Sequence, residues 1–277
     1  MSSKRLLEIY AHLYKEFIYV RRYYSILIMV FIMPYVMAVI SSLLGFAAYI
    51  MVGESAYEKF TSTTGEEDVF TYFLIGIGLF VPSTLIISLT SQLTALEMER
   101  GTLEYVFLSP ISRILATITF PIPWMISIIA VSILSYMPFF VLKFGFPFSI
   151  EMIQGYVATL IGLTPLLGIG LLAATLTLKI KEYWVVGNLL QGIILFFSGF
   201  AYPITILPYW MQLLSMVLPT SHAVELIRDV IERHISLIMS GRLPILLSMV
   251  PLYLLPAMVS YKYVLRRGEL TGELYKY

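Results

Sequence analysis

Cysteine is absent from this 277-residue chain, and charge is scarce. Without cysteine, disulfides and thiolate metal sites are excluded. Asp, Glu, Lys and Arg make up 13% of the residues, against about 25% in soluble domains. No glycine is followed by lysine, so the phosphate-cradling loop G-x-x-x-x-G-K-[ST] is missing and ATP is not bound in that manner. No nucleophile stands beside a general base, and no enzyme activity is expected. Net charge is +1, which gives no electrostatic footprint for nucleic acid.

What the chain has is apolar surface. Hydrophobic residues make up 59% of it, and the mean hydropathy is +0.87. Too few polar side chains remain to cover a water-facing globule, so a bilayer is the natural solvent. The charge-free runs are 23–53, 69–96, 114–142, 152–178, 183–224 and 243–261. A spanning helix needs about 20 apolar residues, and five of these runs fit one helix each. The first begins at Tyr23, too late and too long for a signal peptide, so the N-terminus is expected to be retained.

The run 183–224 would make a helix of about 63 Å at 1.5 Å per residue, twice the hydrocarbon thickness. It also holds Pro203, Pro208 and Pro219, which interrupt helix. Two layouts compete: two full spans, or one span followed by a segment that dips in and returns. Basic residues decide between them. With six spans and a cytoplasmic N-terminus, inner segments carry 13 Lys and Arg and outer segments carry 5. Seven spans would put Lys262, Arg266, Arg267 and Lys276 outside and weaken this positive-inside bias. The expectation is an all-α membrane protein in a single domain, 1–277. Its spans are 23–51, 70–96, 114–140, 152–178, 184–202 and 243–262, with both termini cytoplasmic in the cell membrane. An outer segment, 203–240, precedes the last span. Pro34, Pro82, Pro121, Pro123, Pro165, Pro251 and Pro256 are candidate kinks.

Residues 4–22 read as an amphipathic helix. Arg5, Glu8, His12, Lys15, Glu16, Tyr19 and Arg22 share one face. Leu6, Leu7, Tyr10, Leu13, Tyr14, Phe17 and Ile18 fill the other. Such a helix lies in the membrane interface, in contact with lipid. It serves either as an anchor for the first span or as a contact for a cytoplasmic partner.

The stretch ALEMERGTLEYVFLSPISR, 95–113, sets five charges between two apolar runs. Glu97, Arg100 and Glu104, at steps of three and four, share a helical face; Glu99 points elsewhere. Ser109-Pro110 stops the helix. A short charged helix held between two spans suits docking into another protein; an ordinary solvated loop would read the same way.

These residues resemble the first cytoplasmic loop of ABC-2-type permeases, the membrane subunits of one class of ATP-binding-cassette exporters. The matching residues are Glu97, Glu99, Gly101, Thr102, Glu104, Ser109 and Pro110. A second match lies after the fifth span: Ser198, Gly199, Pro203, Leu207, Pro208, Trp210, Pro219 and Arg228. The resemblance implies an ATPase-coupling helix at 97–110, carried by Glu97, Glu99, Arg100, Gly101, Thr102 and Glu104. It implies a re-entrant helical pair at 203–240, marked by Pro203, Pro208, Trp210, Pro219 and Arg228. It also implies a dimer, with ATP and Mg on a separate ABC ATPase subunit and no cofactor in this chain.

Three rival readings are weighed. His222, Glu225, Glu232 and His234 could be drawn as a metal set, but 220–234 also reads as an amphipathic helix, and no metal is assigned. An ion-coupled transporter or channel would carry ionisable groups within its spans, and the predicted spans have none short of Lys262 at the end of the last. A membrane scaffold protein would be a homodimer without a pathway.

Overall fold

In the computed structural model the apolar runs fold as helices. The structure describes residues 3–52, 58, 61–62, 69–99, 113–119, 121–144, 150–180 and 183–271. The helices are α1 (Ser3–Arg22), α2 (Tyr24–Val52), α3 (Val69–Glu99), α4 (Arg113–Thr119), α5 (Pro121–Phe144), α6 (Ile150–Ile180), α7 (Tyr183–Phe197), α8 (Tyr209–Val217), α9 (Pro219–Ile231) and α10 (Arg242–Thr271). One turn of 3-10 helix, Ile204–Ile206, precedes α8. There is no strand among the described residues.

The helix α6 is the hub. It is apolar on all sides, the pattern of a helix with no solvent face, and α3, α9 and α10 pack around it. Ile86, Leu163, Leu166, Ala223, Leu226 and Leu246 form the centre of the main core. Small residues let the backbones close up, as membrane helices need when no hydrophobic effect drives them together. A Cβ on Gly168 would sit 2.7 Å from the Tyr253 carbonyl carbon in α10. A Cβ on Gly162 would sit 2.4 Å from the Ala223 methyl in α9. A second wall joins α1, α2 and α5 through Val20, Val30, Trp124 and Ile128. There the Ser135 hydroxyl donates to the Phe31 carbonyl at 2.7 Å, and the Tyr35 hydroxyl donates to the Ser135 carbonyl.

Among the described residues four helical stretches are long and apolar enough to cross a bilayer: Thr71–Ser91, Pro121–Pro138, Ile150–Ile180 and Arg242–Gly268. A fifth arises if α1 and the start of α2, which meet at a 65° bend, count as one broken span. The stretch Val185–Phe197 is apolar but shorter.

Several boundaries differ from the sequence reading. The stretch 114–140 is carried by α4 and α5. Pro121 is the first residue of α5, where a missing N–H is harmless. The stretch 184–202 is helical only to Phe197, because Gly199 turns the chain at φ +72°. The last helix runs nine residues past Lys262, to Thr271.

The structure shows which face of α1 meets the protein. Glu16 and Val20 are buried, and α1 packs on α4 and α5. Leu7, Tyr10, Tyr14, Phe17 and Ile18 point outward, each more than half exposed. Part of the polar face thus meets the bundle, and the apolar face is left for the membrane.

Candidate functional site

The two regions singled out by the sequence lie at opposite ends of α3. Glu97 and Glu99 belong to its last turn. Arg100, Gly101, Thr102, Glu104, Ser109 and Pro110 lie outside the described residues.

The other region, 198–242, is built around prolines and one arginine. Gly199 ends α7 in the left-handed conformation that glycine adopts without strain. Each later proline opens a helical piece. Pro203 precedes the 3-10 turn, Pro208 caps α8, and Pro219 is the first residue of α9. The fixed φ of proline suits these starts. The sharp α8–α9 corner is closed by the Ser221 hydroxyl, which donates to the Leu218 carbonyl at 2.7 Å and also to that of Ser215. The Ser198 and Thr220 hydroxyls pair, joining the end of α7 to the start of α9. Trp210 is 59% exposed and takes no part in the core.

From this corner α9 runs back against α6, α10 and α3, with Arg228 1% exposed. A buried guanidinium must be paired to persist. Its Nη1 lies 3.2 Å from Glu225 Oε1. Its Nη2 donates to the Phe200 carbonyl at 3.4 Å. Its centre lies 3.7 Å from the centroid of the Tyr72 ring on α3, a cation–π contact.

Glu225 and Asp229, one turn apart on α9, hold two further cations. Glu225 Oε2 is 3.3 Å from Arg233 Nη1 and 3.3 Å from Arg242 Nη2. Asp229 accepts from Arg233 Nη1 at 2.6 Å and from the Ser240 hydroxyl at 2.8 Å, with Arg242 Nε at 3.5 Å. The network ties α9, the 232–241 turn, the start of α10, the α7 corner and the N-terminal end of α3 into one unit. Next to it lies a cavity of about 270 Å³ lined by Tyr72, Gln212, Ser215, His222, Glu225 and Arg242.

The family resemblance named Arg228 here, but not Tyr72, Asp229, Arg233, Ser240 or Arg242. Two of the pairings carried a readable signal: Glu225–Arg228 at three residues and Asp229–Arg233 at four. Tyr72 carried none, because its partner is distant in the chain. His222 and Glu225 form no shared metal group. The Glu225 carboxylate is engaged by arginines, and the His222 Nε2 lies 2.8 Å from the Met216 carbonyl oxygen. His234 reaches Glu151 at the start of α6 instead, at 3.1 Å. Among the described residues no three His, Asp or Glu side chains could share an ion.

The family model described as ABC-2 type transporter matches residues 8–231, from within α1 to the end of α9. The chain belongs to the ABC-2 type transporter family. It is an integral membrane protein and the permease component of an ABC-type transporter, a family whose membrane subunits partner an ABC ATPase. No curated protein matches the chain in sequence. The matched region takes in both ends of α3, the 97–110 stretch and the Arg228 corner as far as Ile231.

Proposed function

We propose that this permease is half of a dimeric exporter in the cell membrane, powered by a separate ATPase subunit that docks on 97–110. Six spans place both termini in the cytoplasm, and 203–240 forms a re-entrant pair at the outer face. The observation that carries the reading is the family match across 8–231. The form of α3 supports it. The helix runs unbroken for 31 residues from the Arg228 corner to Glu97 and Glu99, a rod of about 46 Å. A push on its acidic end is therefore transmitted to the outer corner through one element. ATP binding would bring two such ends together and shift the population from inward- to outward-facing.

The energetic half of this reading has a direct test. The chain purified alone should hydrolyse no ATP, and co-expression with an ABC ATPase subunit should yield a complex in which this chain raises the ATPase rate. ATP hydrolysis by the single polypeptide, or no ATPase subunit that binds it, would defeat the proposal.

A further inference from the structure

A cleft in the bundle lies away from the Arg228 network. The helices α5 and α6 both pack on α3 and touch each other little. The gap between them is floored by Leu74 and Leu79 of α3 and closed at one end by Ile227 and Ile231 of α9. Counted out to its open mouth it encloses about 600 Å³. The free space within is only about 50 Å³. A single extended chain fits so small a space better than a fused ring system does.

The lining carries no charged side chain. On α6, Ile153, Val157 and Leu160 lie one step round the helix from Met152, Tyr156 and Thr159, and they are exposed. The mouth therefore opens on an apolar surface, where lipid tails lie. One polar group is left over: the Tyr156 hydroxyl is buried and has no hydrogen-bond partner among the described residues. A buried phenol usually finds one. Three other hydroxyls share the lining, those of Ser132, Tyr136 and Thr159. The nearby Thr159 hydroxyl already donates to the Gly155 carbonyl at 2.9 Å.

We propose that this α3–α5–α6 cleft binds one acyl chain of a bilayer phospholipid, with the Tyr156 hydroxyl donating to its ester carbonyl. The site requires only the permease in a bilayer and is independent of ATP-driven export. Its failure would leave the function proposed above untouched.

The full chain is placed in nanodiscs whose only lipid is phosphatidylcholine. A trace of phosphatidylcholine carries a diazirine on one acyl chain. After photolysis, adducts are mapped by peptide mass spectrometry. The exposed face of α10 at Val259 serves as an internal reference for ordinary lipid contact. In the wild type, adducts should concentrate on the peptides bearing Ser132 and Tyr156, above the Val259 level. Ser132→Trp and Thr159→Leu each fill the cleft from a different wall, so a folding failure in one leaves the other informative. Either should lower the cleft adducts to the reference level.

Tyr156→Phe keeps the volume and removes the donor. The wild type should prefer an ester-linked probe over its ether analogue by about 5-fold, the factor one neutral hydrogen bond supplies. Tyr156→Phe should abolish that preference. Wild-type cleft labelling no higher than at Val259, labelling unchanged in the filled variants, or an equal ester and ether response would each overturn the proposal.

Discussion

The guanidinium of Arg228 lies 3.7 Å from the centroid of the Tyr72 ring. This contact joins α9 to the N-terminal end of α3. It also predicts an order of stabilities. Arg228→Ala removes the cation nearest Glu225 Oε1 and leaves that partly buried carboxylate to Arg233 and Arg242 alone. Breaking a buried pair in this way costs about 3–5 kcal/mol. Tyr72→Leu removes only the ring face, about 2 kcal/mol for a desolvated cation–π contact. Arg228→Lys keeps the charge without the planar fork and should fall between wild type and Arg228→Ala. Thermal unfolding in detergent, followed by size-exclusion chromatography, reads the series. Wild-type stability for Arg228→Ala would mean that the network contributes nothing.

Two glycines should respond with opposite sign. A Cβ on Gly76 of α3 would sit 1.9 Å from the Phe200 carbonyl oxygen. That oxygen belongs to the backbone and cannot swing away, and the Arg228 guanidinium donates to it. Gly76→Ala should therefore destabilise by about 1–3 kcal/mol through overpacking and should also loosen the Arg228 corner. Gly192 of α7 has nothing within 4 Å of its Cβ position, so Gly192→Ala should raise helix stability by up to about 1 kcal/mol. Equal melting shifts for the two variants would contradict this packing.

The long apolar helices were legible because a charge-free run of about 20 residues has few other uses. The prolines of 203–219 were legible as breaks, and the structure turns each one into the start of a helical piece. Exposure was harder to read. A helical wheel put Glu16 on the polar face of α1 without saying where that face points, and it is 1% exposed against α4 and α5. Periodicity separates two faces but does not say which one meets the protein. The Arg228 network was hidden for a different reason. Arg228, Arg233 and Arg242 counted as three of five outer basic residues, as if solvated. All three are held by Glu225 and Asp229, and Tyr72 is brought in from more than 150 residues away. Such long-range pairs leave no mark in local spacing.

The proposed topology can be checked with single cysteines, since the chain has none to interfere. A membrane-impermeant thiol reagent applied to intact cells should label Thr63→Cys, between α2 and α3. Ser3→Cys and Thr271→Cys should stay unlabelled until the membrane is opened. Labelling of either terminal site from outside would overturn the six-span arrangement, whatever the fate of Thr63→Cys.

The docking proposal is sharpest at the acidic end of α3. If Glu97 and Glu104 dock the ATPase, their carboxylates meet water in the free permease and the partner in the complex. Their loss should then uncouple without unfolding. Surface substitutions away from special features usually stay within about 0.5 kcal/mol. Truncating one side of a desolvated interfacial charge pair costs about 2–5 kcal/mol, and 2 kcal/mol is already about 30-fold in affinity. Glu97→Ala and Glu104→Ala should therefore leave expression and melting temperature near wild type, while ATPase capture and transport fall at least 30-fold. Gly101→Leu should act the same way by adding bulk where close approach is expected. Capture and ATPase stimulation at wild-type levels in all three variants would make 97–110 an ordinary solvated loop. Loss of expression in all three would make it part of the fold.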